Sequence, residues 1–544
     1  MKKTIARFGP YILLGLVLLM LVFLNIFYHD HWLDSDMAAE MIFSRLLAQE
    51  GHIFAAQDWY YSTEFRFLYT HLVMGPLFRL SGDWHMIRAV ANIVSYVLMV
   101  ASYFYMMNPF KVKSHLTALT AVILLLPFSE TMMLHMEMGN TYPWHVILSF
   151  LFLGMFLRLV QKEEYKKSRR WEITFLYVLL AIICGVSGVR YLLALQVPLV
   201  LTAFFYLLRT EEYGQFRAEF GVNRMARAYW KRLWKCERAY YLYCALLGIV
   251  GSVAGYGINV LWISRQYIFQ TYDGTNFIAV YQGVFWERAQ NALGSLLMLF
   301  GYIPDRSVLS LRGIITMVAF VLIAVFVYCG VRVYRGSEGL RFFLVLFLGV
   351  AFALNEFVFV FTTSTMVPRY YLTIFIFVLP VLAFFLEQGE PVWDKLVVGV
   401  ILVVSLGMST GKTVLSFITT DKNADKRSVV AFLEEQYDFG YATYWNANIV
   451  TELTNGQVEV ANILDPDKLQ FFTWSTPQKY YEENYHTGEV FLLLTEAEAT
   501  EYAEAEALQI GDKVYDDGNY VVYEYENVET LMSGRRSGGQ EQVR

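Results

Sequence analysis

Charge is scarce in this chain. Of its 544 residues only 17% are Asp, Glu, Lys or Arg, while 56% are hydrophobic. A soluble chain of this length would divide into two to four domains built from amphipathic elements. Here uncharged runs of about twenty residues recur instead, each long enough to cross roughly 30 Å of hydrocarbon as a helix. Cysteine is scarcer still. Cys184, Cys236, Cys244 and Cys329 all fall in or beside such runs, or in a basic loop. That excludes a disulfide-stapled outer framework and any cysteine-based metal motif. There is no His-Glu-x-x-His stretch and no internal repeat. No small-residue cleavage pattern follows the first apolar run, so Met1-Lys2-Lys3 through Arg7 leads into a retained span rather than a signal peptide.

These patterns predict a polytopic α-helical membrane protein with about eleven spans. The segments are 10–28, 84–106, 114–128, 143–160, 171–187, 190–208, 240–263, 311–331, 341–361, 370–386 and 394–417. The 114–128 segment is short, and 171–208 reads either as one hairpin or as an irregular pair hinged at Gly185-Val186-Ser187-Gly188. Those small residues, with Gly251 and Gly255, suit close helix packing.

Every second loop is basic: Lys2, Lys3 and Arg7; Lys111 and Lys113; Lys162, Lys166, Lys167, Arg169 and Arg170; the stretch 209–238; and Arg332, Arg335 and Arg341. The positive-inside rule then places the N-terminus in the cytoplasm and the C-terminus outside, with 29–83, 129–142, 264–310, 362–369 and everything after about 418 also outside. The stretch 209–238, with Trp230 and Trp234, suits an amphipathic helix on anionic cytoplasmic lipid, a setting that argues against nucleic acid. Residues 37–47 read as a helix lying in the membrane interface, and the aromatic loop 264–310 as resting at headgroup level.

The expected organisation is a transmembrane domain over 1–417 with outer loops 29–83 and 264–310, an outer domain over 418–530 and a loose tail over 531–544. The segment after 418 has no spanning run. It holds 24 acids against 9 Lys and Arg, a net of −15 where the whole chain is −6. Short β-rich pieces at 457–460, 490–494 and 520–525, with a helical stretch at 496–507, predict a small α/β fold.

The first loop after the first span reads His29-Asp30-His31-Trp32-Leu33-Asp34-Ser35-Asp36. Carboxylates at a membrane edge are costly unless they face water, a partner or a substrate. Asp34 and Asp36 have two readings. One is a hydrated loop in which Asp36 caps the following helix. The other is catalysis: one acid takes a proton from an acceptor hydroxyl or amide, and the second holds a divalent ion that neutralises a departing phosphate. His29, His31 and His135 read as surface imidazoles rather than metal ligands. Tyr444-Trp445-Asn446 reads equally as a carbohydrate contact and as a small core with a turn.

A single span, an outer Asp-x-Asp, an interfacial helix, about eleven spans and an outer C-terminal domain together resemble the GT-C glycosyltransferases. The likeness is to the protein mannosyltransferase and aminoarabinose transferase type. Thr63-Glu64-Phe65-Arg66, Gly75-Pro76-Leu77-Phe78 and Trp84-His85-Met86-Ile87-Arg88 are similar to that family's run into its second span. Val367-Pro368-Arg369-Tyr370-Tyr371-Leu372 resembles its late Arg-Tyr motif. The resemblance covers most of the membrane part as architecture plus short motifs.

It implies an inverting transfer of a sugar from a polyprenyl-phosphate-linked donor to a cell-envelope glycan, lipid or protein outside a bacterial plasma membrane. Asp34 or Asp36 would be the catalytic carboxylate. Glu137, with Glu130 as its rival, would be a second acid supporting catalysis or, with Asp36, a Mg or Mn ion. Arg190 and Arg369 would grip the phosphate, since a guanidinium fork matches phosphate oxygens. Arg66 and Arg88 are further cation candidates. Trp286 and Arg288 would contact sugar or isoprenoid. The alternative is a lipid or polysaccharide transporter or flippase, for which Glu356 within a span is the one sign.

Overall fold

The computed structural model describes every residue except 1, 162, 163, 165, 210–235, 271–274, 282, 308 and 536–544. The protein is mainly helical, and each of the eleven expected segments holds helix. Among the described residues seven helices are long and apolar enough to cross a membrane, or eight if a pair bent by 41° (Pro368–Phe375 and Val378–Glu387) counts as one. The other three segments are helical with a physical reason for falling short. Ser114–Leu124 and Leu192–Leu208 are too short. Lys167–Val186 carries Lys167, Arg169, Arg170 and Glu172 in its opening turns. Trp230, Trp234 and most of the expected amphipathic stretch 209–238 lie outside the described residues.

The chain divides into two compact units. The first comprises Met1–Leu21, Ser95–Trp262 and Asp273–Leu415. Within it, small residues set the helix spacing, as the sequence suggested. A Cβ on Gly185 would lie 1.9 Å from the Ser252 carbonyl oxygen, and one on Gly255 would lie 2.0 Å from that of Ile182. The Lys167–Val186 and Glu237–Ile258 helices therefore touch backbone to backbone, which only glycine permits at those positions. Ser252 Oγ adds a bond to the Ala181 carbonyl at 2.9 Å. The aromatic loop 264–310 contains the sixteen-residue helix Val284–Leu299.

The second unit comprises Val22–Val94, Ile263–Tyr272 and Ser416–Arg544. At its centre is the helix Ser35–Glu50. Its N-cap is Asp34, whose carboxylate accepts from the Met37 amide at 2.9 Å, so the capping acid is Asp34 and not Asp36. Gly51 ends the helix at φ +74°, a left-handed conformation that glycine adopts without strain. Ten of the sixteen residues are buried, Glu40 and Ser44 among them. The expected interfacial helix is thus enclosed, packed by the Tyr444–Leu453 and His71–Phe78 helices.

A five-stranded mixed sheet completes this unit, in the order Glu459–Ile463, Phe439–Thr443, Val490–Thr495, Tyr520–Tyr525, Asp512–Asp516. The first three strands run parallel and the last two pair antiparallel. Three of the five match expected β segments. Phe439–Thr443 escaped because it is central and buried at four successive positions, which removes the alternation that marks a one-sided strand. The expected helix over 496–507 is two short helices, Glu496–Glu501 and Glu506–Ile510, the first opened by a Thr495–Glu498 capping box. In the expected tail 531–544, Val528–Ser533 is helical, capped by Asn527, and Arg535 bonds the Lys468 carbonyl at 3.0 Å; 536–544 lie outside the described residues.

Candidate functional site

Asp36 sits in the first turn of the Ser35–Glu50 helix and is half-buried. The Tyr444 hydroxyl donates to its Oδ1 at 2.6 Å. Tyr444 is the first residue of the Tyr444–Leu453 helix. Burial, reinforced by the Asp36 and Asp34 charges, pushes its phenol well up, so it stays protonated and donates. Two further bonds tie the same helix to the acidic loop. Ser35 Oγ donates to the Tyr444 carbonyl. Asn448 Nδ2 reaches Ser35 Oγ at 3.0 Å. From outside that helix, Asn423 Nδ2 bonds the Asp30 and Leu33 carbonyls at 2.9 and 3.0 Å. Asp36 is held at a fixed place while its carboxylate remains reachable by water.

A second polar layer lies behind it. Glu40 is buried, with Arg66 Nη1 at 2.5 Å and the Tyr69 hydroxyl at 2.7 Å from its Oε1. Burial pushes the Glu40 carboxyl up to about 7 against the opposing pull of Arg66 and Tyr69. Arg66 also faces Glu64 at 3.9 Å and lies 4.8 Å from the Tyr69 ring centre. Its charge is matched by two carboxylates, which gives this candidate a structural occupation. His71 is buried with no hydrogen-bond partner at either ring nitrogen. Desolvation, then the charge of Arg66, lowers it to about 3, so it stays neutral. Arg88 is fully buried in a two-point pair with Glu452, at 2.7 Å from Nε and 2.6 Å from Nη2, and also bonds the Met37 carbonyl at 2.8 Å. His29 bonds the Asn25 carbonyl at 2.8 Å and stacks on His85 at 4.0 Å.

The first unit gathers a different set. Arg190 Nη1 donates to His145 Nε2 at 3.2 Å, and His145 Nδ1 lies 2.7 Å from the Tyr191 hydroxyl. A guanidinium never accepts, so His145 Nε2 must carry the lone pair and Nδ1 the proton. His135 lies beside this group, its ring 5.7 Å from that of Tyr142, over which Arg190 also sits at 5.6 Å. Burial first, then the nearby charge of Arg369 with a smaller push from Arg190, lowers His135 to about 3. Both arginines therefore converge on one neutral imidazole. Among the described residues Arg369 has no carboxylate partner; its guanidinium lies 5.9 Å from the Tyr370 ring centre.

Glu137 is buried in the same unit, and burial pushes its carboxyl well above the usual range, favouring the neutral form. Its rival Glu130 is exposed at the start of a three-residue helix. Glu356 bonds the Tyr371 hydroxyl at 2.5 Å. Arg288 spends its guanidinium on the Phe359 carbonyl at 3.1 Å and on that of Ser364, pinning the 359–364 turn. It also lines a cavity of about 370 Å³ with Gln290, Asn291 and Ser295. Trp286 is 69% exposed beside Phe285.

The donor set does not fit a divalent cation. Glu137 favours the protonated form, which binds metals poorly. Among the described residues no group of three or more His, Cys, Asp or Glu gathers at ligating distance. No chemical step below is assigned to a metal.

Glu452, Glu40, Tyr69, His145 and Tyr191 had no chemical role from the sequence. Tyr444 was read as a carbohydrate contact or part of a small core, and its bond to Asp36 spans 408 positions, beyond any local pattern.

No family model and no curated protein matches the chain. Among solved structures it is similar to the aminoarabinose transferase ArnT from Cupriavidus metallidurans, bound to undecaprenyl phosphate. The two share 14% identity with a TM-score of 0.54, over 96% of this chain and 99% of that one. The fold is that of the GT-C glycosyltransferases. Two oligosaccharyltransferase structures from Archaeoglobus fulgidus also match at 10% identity: the apo form, with a TM-score of 0.48 over 96% of this chain and 75% of that one, and a complex with an inhibitory peptide and a dolichol phosphate, with 0.46 over 89% and 70%. The similarity extends over nearly the whole chain, and the apolar helices long enough to cross a membrane lie before the C-terminal sheet.

Proposed function

We propose that this protein is an inverting glycosyltransferase that takes a sugar from a polyprenyl-phosphate-linked donor and passes it to an extracytoplasmic acceptor. The observation that carries the reading is Asp36: a half-exposed carboxylate fixed by a tyrosine hydroxyl, in the first loop of a chain with the GT-C fold. Support for the donor class comes from the similar structure, which holds undecaprenyl phosphate. The reading includes an eleven-span topology in the plasma membrane, with the N-terminus in the cytoplasm and the Asp36 loop and C-terminal sheet outside.

In the proposed step an acceptor hydroxyl gives its proton to Asp36 as its oxygen attacks the anomeric carbon. The bond from that carbon to the phosphate oxygen breaks, and polyprenyl phosphate leaves with the electron pair. Asp34 holds the helix that carries Asp36. Arg369 and Arg190 supply donors for the phosphate oxygens, a charge-assisted contact of the strong kind. Glu137, whose carboxyl burial pushes upward, serves as a hydrogen-bonding group or as packing.

The test is a transfer assay with purified full-length enzyme against a panel of radiolabelled polyprenyl phosphate sugars. Wild-type protein should label an acceptor with at least one donor, and the Asp34→Asn/Asp36→Asn double variant should label none. Retention of full transfer by a folded double variant would remove the assignment.

A further inference from the structure

Next to Asp36 the protein places an aromatic surface that the transfer chemistry above leaves unused. Tyr444 connects the two. Its hydroxyl holds Asp36 at 2.6 Å, while its ring meets Trp445 edge-on at 5.3 Å and Phe472 edge-on at 5.4 Å. Phe472 in turn stacks on Trp474 at 6.4 Å with the planes only 15° apart. Trp445 is 62% exposed, although Asn446 and Ala447 directly after it are buried. It is therefore not a core residue.

The support beneath these rings is rigid. The Trp474 amide bonds the Phe472 carbonyl at 2.8 Å, and the Phe472 amide bonds the Asn462 carbonyl at 2.9 Å. Between the two rings, Thr473 accepts a bond from Gln270 at 2.7 Å. Asn446 and Glu498 both bond Thr443 at the foot of the same helix. At the start of the helix that carries this open indole, the Tyr444 and Thr443 hydroxyls each bond a half-exposed carboxylate, Asp36 and Glu498.

That mixture selects a ligand. A pyranose ring offers a flat C–H face of partial positive charge, which suits the negative face of an indole. Its edge offers hydroxyls that carboxylates and amides can bond. An acyl chain has no group that could bond such carboxylates, and covering them desolvates charge without compensation. We propose that Trp445, held edge-on against Tyr444, is the acceptor platform of this site and that the acceptor it takes is a carbohydrate ring. The inference rests on the transferase reading and adds the acceptor's chemical class. Tyr444 then has two duties: it positions Asp36 and it sets how far the stacked ring lies from that carboxylate.

The experiment is saturation-transfer-difference NMR on full-length protein in detergent micelles. The probes are methyl pyranosides of the gluco, galacto, manno and N-acetylglucosamine series, with farnesyl phosphate as the lipid probe. Wild-type protein should saturate the C–H protons of at least one pyranoside. Trp445→Ala should abolish that signal, while Trp393→Ala, which removes an indole of similar exposure elsewhere, should keep it. Asp36→Asn should also keep it, because stacking needs no proton transfer. Equal saturation in wild type and Trp445→Ala overturns the platform, as does a Trp445-dependent signal from farnesyl phosphate alone. If the wild-type protein transfers no sugar from any polyprenyl phosphate donor while the Trp445-dependent pyranoside signal persists, the transferase reading fails instead, so the two failures leave different patterns.

Discussion

Two arginines of the first unit meet other partners than those that frame Asp36 in the second. In the second, Arg88 meets Glu452, Arg66 meets Glu40 and Glu64, Arg45 meets Glu459, and Arg427 meets Asp30 and Asp421. The result is architecture around Asp36. In the first, Arg332 and Arg341 are likewise paired, with Glu390 and Glu387, whereas Arg190 leans on the His145 ring and Arg369 lies against a tyrosine ring. Among the described residues Arg369 has no carboxylate partner. Arginine thus has two uses in one chain, and the partner rather than the residue type decides which.

The sharpest break of that contrast is at Asp36. Asp36→Asn should cost roughly 10²–10⁴-fold in transfer rate, the usual share of a general base, with an unchanged melting temperature. An equal fall in stability would make Asp36 part of the scaffold instead. Next in size is Arg88→Ala, which strands a buried carboxylate and should cost about 3–5 kcal/mol, read by thermal unfolding in detergent. The double variant Arg88→Met/Glu452→Leu should recover most of it, since apolar replacement of a buried pair is often neutral.

Arg369→Ala should raise the donor KM by about 10–100-fold, the equivalent of one charged hydrogen bond of roughly 1.5–3 kcal/mol, and leave the fold intact. If Arg66→Ala does this and Arg369→Ala does not, the comparison is reversed. A smaller effect concerns pH. The Glu40 carboxyl is raised from 4.5 to about 7 in the folded protein, so between those values the folded state holds more protons than the unfolded one. Its contribution is fully present below about pH 4.5 and is lost as the pH rises through 7. Melting temperature should fall across that window, and Glu40→Gln should flatten the slope. Smallest is Asp34→Ala, which removes a helix cap worth about 1 kcal/mol; Asp34→Asn, also a good cap, should keep it.

The helical layout was legible because spans are written locally, in twenty-residue runs and alternating basic loops. Each expected segment contains helix, down to the glycines that let Gly185 and Gly255 touch backbone. The acidic loop was legible as a place, since Asp34 and Asp36 interrupt an apolar run. Their division of labour was not. Which aspartate caps the helix is a matter of backbone phase, and which receives a hydroxyl depends on Tyr444. Likewise Arg66 looked available from its neighbours in sequence, while its carboxylate Glu40 lies 26 positions away. Sequence gives the element that carries a side chain; the partner that sets its chemistry comes from another part of the chain.

The Arg88–Glu452 pair carries a consequence for how the molecule is made. The two residues lie 364 positions apart, so a ribosome completes the guanidinium long before it supplies the carboxylate. Through most of synthesis an apolar helix holds an unmatched cation. The early helix thus reaches its final polar pairing only when the late segment joins it, so the order of synthesis and the order of assembly differ at this pair.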